Sequence, residues 1–133
     1  MRKAIDIVLK VLLSVILVLP ILGTLGVFPP PTQDLYNTPE AFQFIVTLQE
    51  GRYINIVMSV VHVVALACLW TRRTALAALL ILPITVNVVG FHLVLDGGLF
   101  TPGAVLGNVM LLTNAYFLWK HRGEYRPLLN RTS

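Results

Sequence analysis

Long apolar stretches separated by short polar breaks run almost the whole length of the chain. A membrane-spanning helix needs about 20 mostly apolar residues, and four stretches meet or approach that length: residues 5–28, 53–70, 74–95 and 102–119. Lys10 lies near the start of the first, where its ammonium can reach the headgroups. Pro20 and Pro83 fall inside the first and third. The first stretch exceeds the roughly 7–15-residue core of a signal peptide and no Ala-x-Ala site follows it, so it is expected to remain as a helix.

The breaks carry turn and cap chemistry. Thr71-Arg72-Arg73 is a short turn with Thr74 as a candidate N-cap, and Asp96-Gly97-Gly98 is another, with Thr101-Pro102 as cap and first helical residue of the fourth span. Turns this short make successive helices antiparallel neighbours. The first connection is longer. Phe28-Pro29-Pro30-Pro31-Thr32 is expected to be extended, and Thr38-Pro39-Glu40 opens a short helix over 39–50 closed by Gly51. Ala41, Phe42, Ile45, Val46 and Leu48 suit a helix lying on the membrane face, or simply capping the bundle. The expected fold is all-α: a single domain forming a transmembrane four-helix bundle with one interfacial helix.

Composition supports the membrane assignment: 56% of residues are hydrophobic and 12% charged, against about 25% charged in soluble domains. The net charge of +4 follows from topology rather than from nucleic acid binding. With the N-terminus inside, Arg2, Lys3, Lys10, Arg72, Arg73, Lys120, Arg122, Arg126 and Arg131 all fall on the cytoplasmic side and only Arg52 outside. The expected location is the cytoplasmic membrane, with both termini cytoplasmic. The basic tail after Trp119 faces anionic lipid. The one cysteine, Cys68, lies in an apolar run, so thiol–disulfide exchange within the chain is excluded.

Polar residues inside apolar segments carry the functional signal. Asn55, Ser59 and His62 share one stripe of the second helix; Thr85, Val88, His92 and Asp96 share a face of the third. Gly103, Gly107, Asn108 and Asn114 form a small and polar stripe on the fourth, with a Gly-x-x-x-Gly pattern that permits close helix approach. Counting at about 1.5 Å per residue puts His62 and Asn87 roughly 12–14 Å from the outer end and Asn108 roughly 9–10 Å. The candidate ligand pocket is therefore His62, Asn87 and Asn108 with Ser59, and His92 and Asp96 line the way in. Each also has a structural reading: the asparagines as inter-helix hydrogen bonds, His62 as a buried structural bond, His92 and Asp96 as an ion pair or turn cap. Two histidines and one aspartate at unequal depth do not form a convincing metal or haem ligand set. No glycine-rich phosphate loop or nucleophilic triad is present.

The ordered set Pro39-Glu40-Ala41-Phe42, Gly51-Arg52-Tyr53, Pro83 through Leu93, Asn108 with Tyr116 through Lys120, and Tyr125-Arg126-Pro127-Leu128 resembles the DoxX-like family of small membrane proteins. The resemblance covers nearly the whole chain, and no single motif in it is highly specific. It implies a compact four-helix membrane bundle and an association with membrane redox chemistry. Some members are subunits of a quinone-reducing enzyme, and related eukaryotic proteins look like assembly chaperones.

Besides the binding or passage of a small molecule or lipid through the outer pocket, two functions follow as expectations. In one, the chain is a quinone-linked redox component, with the quinone held non-covalently in the outer half of the bundle and electrons exchanged with a partner protein. In the other it is a non-enzymatic scaffold or assembly factor, docking a partner or a second copy of itself through the glycine stripe and outer helix.

Overall fold

The computed structural model describes residues 1–131, and among them the chain is all-helical. The helices are α1 (Arg2–Thr24), α2 (Pro39–Gly51), α3 (Tyr53–Trp70), α4 (Thr74–Gly90), α5 (Val105–Lys120) and the short α6 (Arg126–Leu129). Three of them are long and apolar enough to cross a membrane: Arg2–Thr24, Tyr53–Trp70 and Thr74–Leu95, the last counting the turn that extends α4.

Local chemistry sets the helix ends. Gly26 takes φ +81 after α1, which lets the Val27 N–H reach back to the Leu22 carbonyl at 3.0 Å. At the end of α3 the left-handed residue is Arg72, φ 62, and the Arg73 N–H donates to Cys68 O at 2.9 Å. Arg73, not Thr74, occupies the cap position of α4, without a side-chain bond. Thr74 is buried as the first helical residue, because the tight Arg72 turn swings it inward. Thr38 does cap α2, accepting the Ala41 N–H at 3.1 Å, with Pro39 as first helical residue. Gly51 is the last residue of α2, and the positive φ falls one position later on Arg52, which makes the corner directly into α3. Thr101 takes the extended cap conformation, but its hydroxyl turns back to the Gly98 carbonyl.

The third apolar helix does not end as a regular α-helix. Over Phe91–Leu95 the last turn widens to π geometry, and the Asp96 N–H bonds to Phe91 O at 3.1 Å. Such wide turns recur at functional positions.

α3 packs on α4, α4 on α5 and α1 on α3; contacts between α1 and α5 close the ring. The core holds Leu13, Leu17, Leu69, Ile81, Met110 and Phe117, with Ala75, Ala77 and Ala78 letting α4 approach its neighbours closely. Three hydrogen bonds tie α1 to α3 in antiparallel register: Ser59 Oγ to Thr24 Oγ1 at 3.0 Å, His62 Nδ1 to Leu17 O at 3.1 Å, and Trp70 Nε1 to Ser14 Oγ at 2.9 Å. Within apolar surroundings such bonds contribute about 0.6 kcal/mol each. Asn114 Nδ2 donates to Ala78 O at 2.9 Å across the α4–α5 seam. At the end of the bundle where the termini lie, Asp6 accepts from Tyr116 Oη at 2.8 Å and pairs with Lys120, joining α1 to α5.

The outward faces are apolar as well. Val11 and Val15 on α1, Val60 and Val63 on α3, and Leu106 and Leu112 on α5 are all exposed. Apolar exposure on this scale marks surface meant for lipid or for another protein.

Candidate functional site

Two polar regions lie in the half of the bundle nearer α2, and they are chemically distinct. The first is a clamp around Asp96, which is 1% exposed. Its Oδ1 accepts the Asn37 backbone N–H at 2.8 Å, and its Oδ2 lies 3.2 Å from His92 Nδ1. The Asn37 amide donates to the Asp96 carbonyl at 3.0 Å, and the Thr38 hydroxyl donates to the Leu95 carbonyl. The widened turn thus has its free carbonyls satisfied by Asn37 and Thr38, the two residues just before α2. Phe91 stacks against Tyr36, Phe44 and His92, with centroids at 6.3, 5.8 and 5.0 Å. Burial, reinforced by the negative charge of Asp96, pushes the Tyr36 phenol above its ordinary range.

The glycine stripe of the fourth apolar segment belongs to this clamp. A β-carbon placed on Gly103 would lie 3.7 Å from Asp96 Oδ2 and 3.9 Å from His92 Cε1; one on Gly107 would lie 3.4 Å from His92 Cδ2 and 3.1 Å from Val88 Cγ1. The missing side chains make room for the His92 ring between α4 and α5.

The second region is a cavity of about 150 Å³ walled almost entirely by apolar atoms and containing one polar ring, that of His62. Ile16, Pro20, Met58, Val88 and Gly107 form part of its wall. His62 is 1% exposed. Its Nδ1 faces the Leu17 carbonyl, which can only accept, so Nδ1 carries the proton. Its Nε2 is buried and has no partner among the described residues. Pro20 has no N–H to give to the carbonyl of Ile16, so a second acceptor without its usual helical donor belongs to a residue of the same wall.

Pro20 and Met58 also border a larger open cleft of about 610 Å³ between the end of α1, the Pro29–Pro31 strap, α2 and α3. Tyr36, Gln49, Arg52 and Asn55 supply its polar groups. That volume lies within the usual small-molecule range of about 300–1,000 Å³, and the shared wall sets the cleft beside the His62 cavity.

The residues expected to form one pocket separate. Of His62, Asn87 and Asn108, His62 alone lines the cavity. Asn87 is exposed, about a quarter turn around α4 from the cavity-lining Ile84 and Val88, its amide returned to Pro83 O at 2.8 Å. Asn108 donates to Leu99 O at 2.7 Å and steadies the turn before α5. Ser59 is taken up by Thr24, and His92 and Asp96 by the clamp. Sequence reasoning did not single out Asn37 or Tyr36, whose partners lie far along the chain, nor the carbonyl of Leu17 that orients His62. It also passed over Asp6, whose only signal is an acid within the first apolar stretch. No three His, Cys, Asp or Glu side chains converge as a metal ligand set among the described residues.

No protein-family profile matches the chain, and neither a curated protein nor a solved structure is significantly similar to it.

Proposed function

We propose that this is a DoxX-like protein of the cytoplasmic membrane that crosses the bilayer four times and binds a small ring ligand of the quinone class beside His62. The fourth span is α5 with the turn before it. Sixteen helical residues give about 24 Å, and the three-residue turn Pro102–Ala104 adds about 6 Å, which together match a hydrocarbon core of about 30 Å. The exposed Leu106 and Leu112 of α5 are lipid-facing in this reading, and the distribution of basic residues supports cytoplasmic termini with α2 at the outer interface.

One observation carries the ligand assignment: a buried histidine that lines an apolar cavity and has one ring nitrogen without a partner. Leaving such an atom unsatisfied costs about 1–3 kcal/mol, so its retention in a wall otherwise built of aliphatic groups argues for an occupant. A cavity near 150 Å³ has the volume of a single benzene-sized ring, and the larger cleft shares Pro20 and Met58 with it. Electrons would be exchanged with a partner protein. The alternative, a scaffold that docks its partner through the glycine stripe, keeps only part of its surface, because Gly107 is buried from within the chain against His92 and Val88 while Gly103 is exposed.

The test is to purify the protein in native lipid and identify the co-extracted small molecules by mass spectrometry, beside His62→Ala. A stoichiometric quinone in the parent that is lost in the variant is the expected result. Bulk phospholipid alone in both samples would refute the quinone site.

A further inference from the structure

The open cleft of about 610 Å³ between the end of α1, the Pro29–Pro31 strap, α2 and α3 is apolar over most of its wall, with Phe28, Ile45, Leu48 and Met58 among its residues. One charged residue lines it, Arg52, and no carboxylate does. Arg52 is exposed, and among the described residues no ion pair or stacked ring holds its guanidinium elsewhere. Asp34, Glu40 and Glu50 are exposed as well, and none of them pairs with it. The backbone at Arg52 has φ +57, which glycine adopts freely and other residues only at a cost. A glycine stands one position earlier, at Gly51, where the end of α2 makes no use of its freedom. The other arginine at positive φ, Arg72, belongs to the basic group at the opposite end of α3.

We propose that this cleft binds a long-chain carboxylate of the fatty-acid class, with the acid on Arg52 and the chain along the prolines and aliphatic side chains of the wall. The planar guanidinium matches a carboxylate with two parallel hydrogen bonds, and Gln49 and Asn55 on the same wall carry amide donors. The volume lies in the range of a single small ligand, one chain rather than the two of a phospholipid. In the topology proposed above, Arg52 is the one basic residue on the outer side, at the level where the head of an amphiphile in that leaflet lies. A charge-assisted bond at an exposed arginine is screened by water, so the acid should be preferred over an uncharged head of the same chain by about tenfold.

The test uses the full chain in nanodiscs of zwitterionic lipid at about pH 9, where a carboxyl at the membrane surface is ionised despite its raised pKa. Two photoactivatable probes share one chain and differ at the head: a diazirine-bearing palmitate and the matching alcohol. Labelling of the cleft, over residues 45–58, is measured relative to the exposed Val63 and Leu112. The acid is expected to label the cleft about tenfold more than the alcohol, and Arg52→Gln and Arg52→Gly should bring the two level. Glycine suits the positive φ, so Arg52→Gly separates the charge from any demand of the fold. Equal labelling by acid and alcohol in the parent, or a preference that survives both variants, would overturn the site. Displacement of the labelled acid by phosphatidic acid as strong as by plain palmitate would overturn the one-chain assignment. Neither probe depends on the His62 cavity, so the quinone test and this one fail separately.

Discussion

Replacing Asp96 by alanine should be the most damaging single change at the α2 end of the bundle. The carboxylate is 1% exposed and meets two donors, the Asn37 N–H at 2.8 Å and His92 Nδ1 at 3.2 Å. Hydrogen bonds to a charged group contribute about 1.5–3 kcal/mol each when buried. The partners here are only partly buried, so the lower end applies, and the expected loss is about 3 kcal/mol. That corresponds to roughly 10 °C in melting temperature for a chain of this size. Asp96→Asn keeps an acceptor for Asn37 and should lose about 1 kcal/mol. Cys68 supplies the assay: it is the one cysteine in the sequence and is buried in α3, toward the other end of the bundle. A thiol-reactive fluorophore therefore reports global unfolding on heating rather than local opening near the mutation. Equal melting temperatures for parent and Asp96→Ala would refute the clamp. A loss in Asp96→Asn as large as in Asp96→Ala would show that charge, not the acceptor geometry, matters.

Gly107→Ala sets a β-carbon 3.1 Å from Val88 Cγ1 and 3.4 Å from His92 Cδ2. The crowding of about 1 kcal/mol is offset by a helix-propensity gain of similar size, so melting in the same thiol assay should change little; a large drop would show that Val88 and His92 cannot give way. Asn114→Ala removes the bond to Ala78 O and leaves a void in the α4–α5 seam, a loss of about 1–2 kcal/mol by the same thiol assay. Tyr36 has its phenol pushed upward by burial and by Asp96. Its contribution is present at and below the ordinary tyrosine pKa and is lost as pH rises through the higher folded value. The α2 end should therefore loosen only in strong alkali, and Tyr36→Phe should abolish that step in hydrogen-exchange measurements on α2.

Apolar length and turn residues made the helices legible. Pro39, Gly51 and the pair Arg72-Arg73 mark boundaries that the structure reproduces to within a residue. The His92–Asp96 pairing follows from a spacing of four. What periodicity could not supply was the partner across the bundle. Asp96 and Asn37 are 59 positions apart, and nothing in either local pattern points to the other. Depth put Asn87 level with His62, while rotation by about 140° from His92 already turned it away; it lies on the exposed face, and its bond to Pro83 O satisfies it within its own helix. The glycine stripe read as a surface for another helix, whereas its second partner is the His92 ring.

Once these partners are assigned, the polar residues divide by whether a helix end explains them. Thr38, Asn37 and Asp96 satisfy backbone groups where α4 stops and α2 starts, a requirement any bundle with such a corner must meet. Asn108 and Asn87 satisfy carbonyls close to themselves. Asn114, whose Oδ1 is buried without a partner, is not accounted for in this way, and neither is His62. Its Nδ1 takes the Leu17 carbonyl, but serine or threonine, as used at Ser59 and Ser14 on the same seam, could tie the two helices without leaving a second nitrogen buried and unpaired. The helix seam therefore explains one nitrogen of the ring and leaves the other buried beside the cavity without a partner.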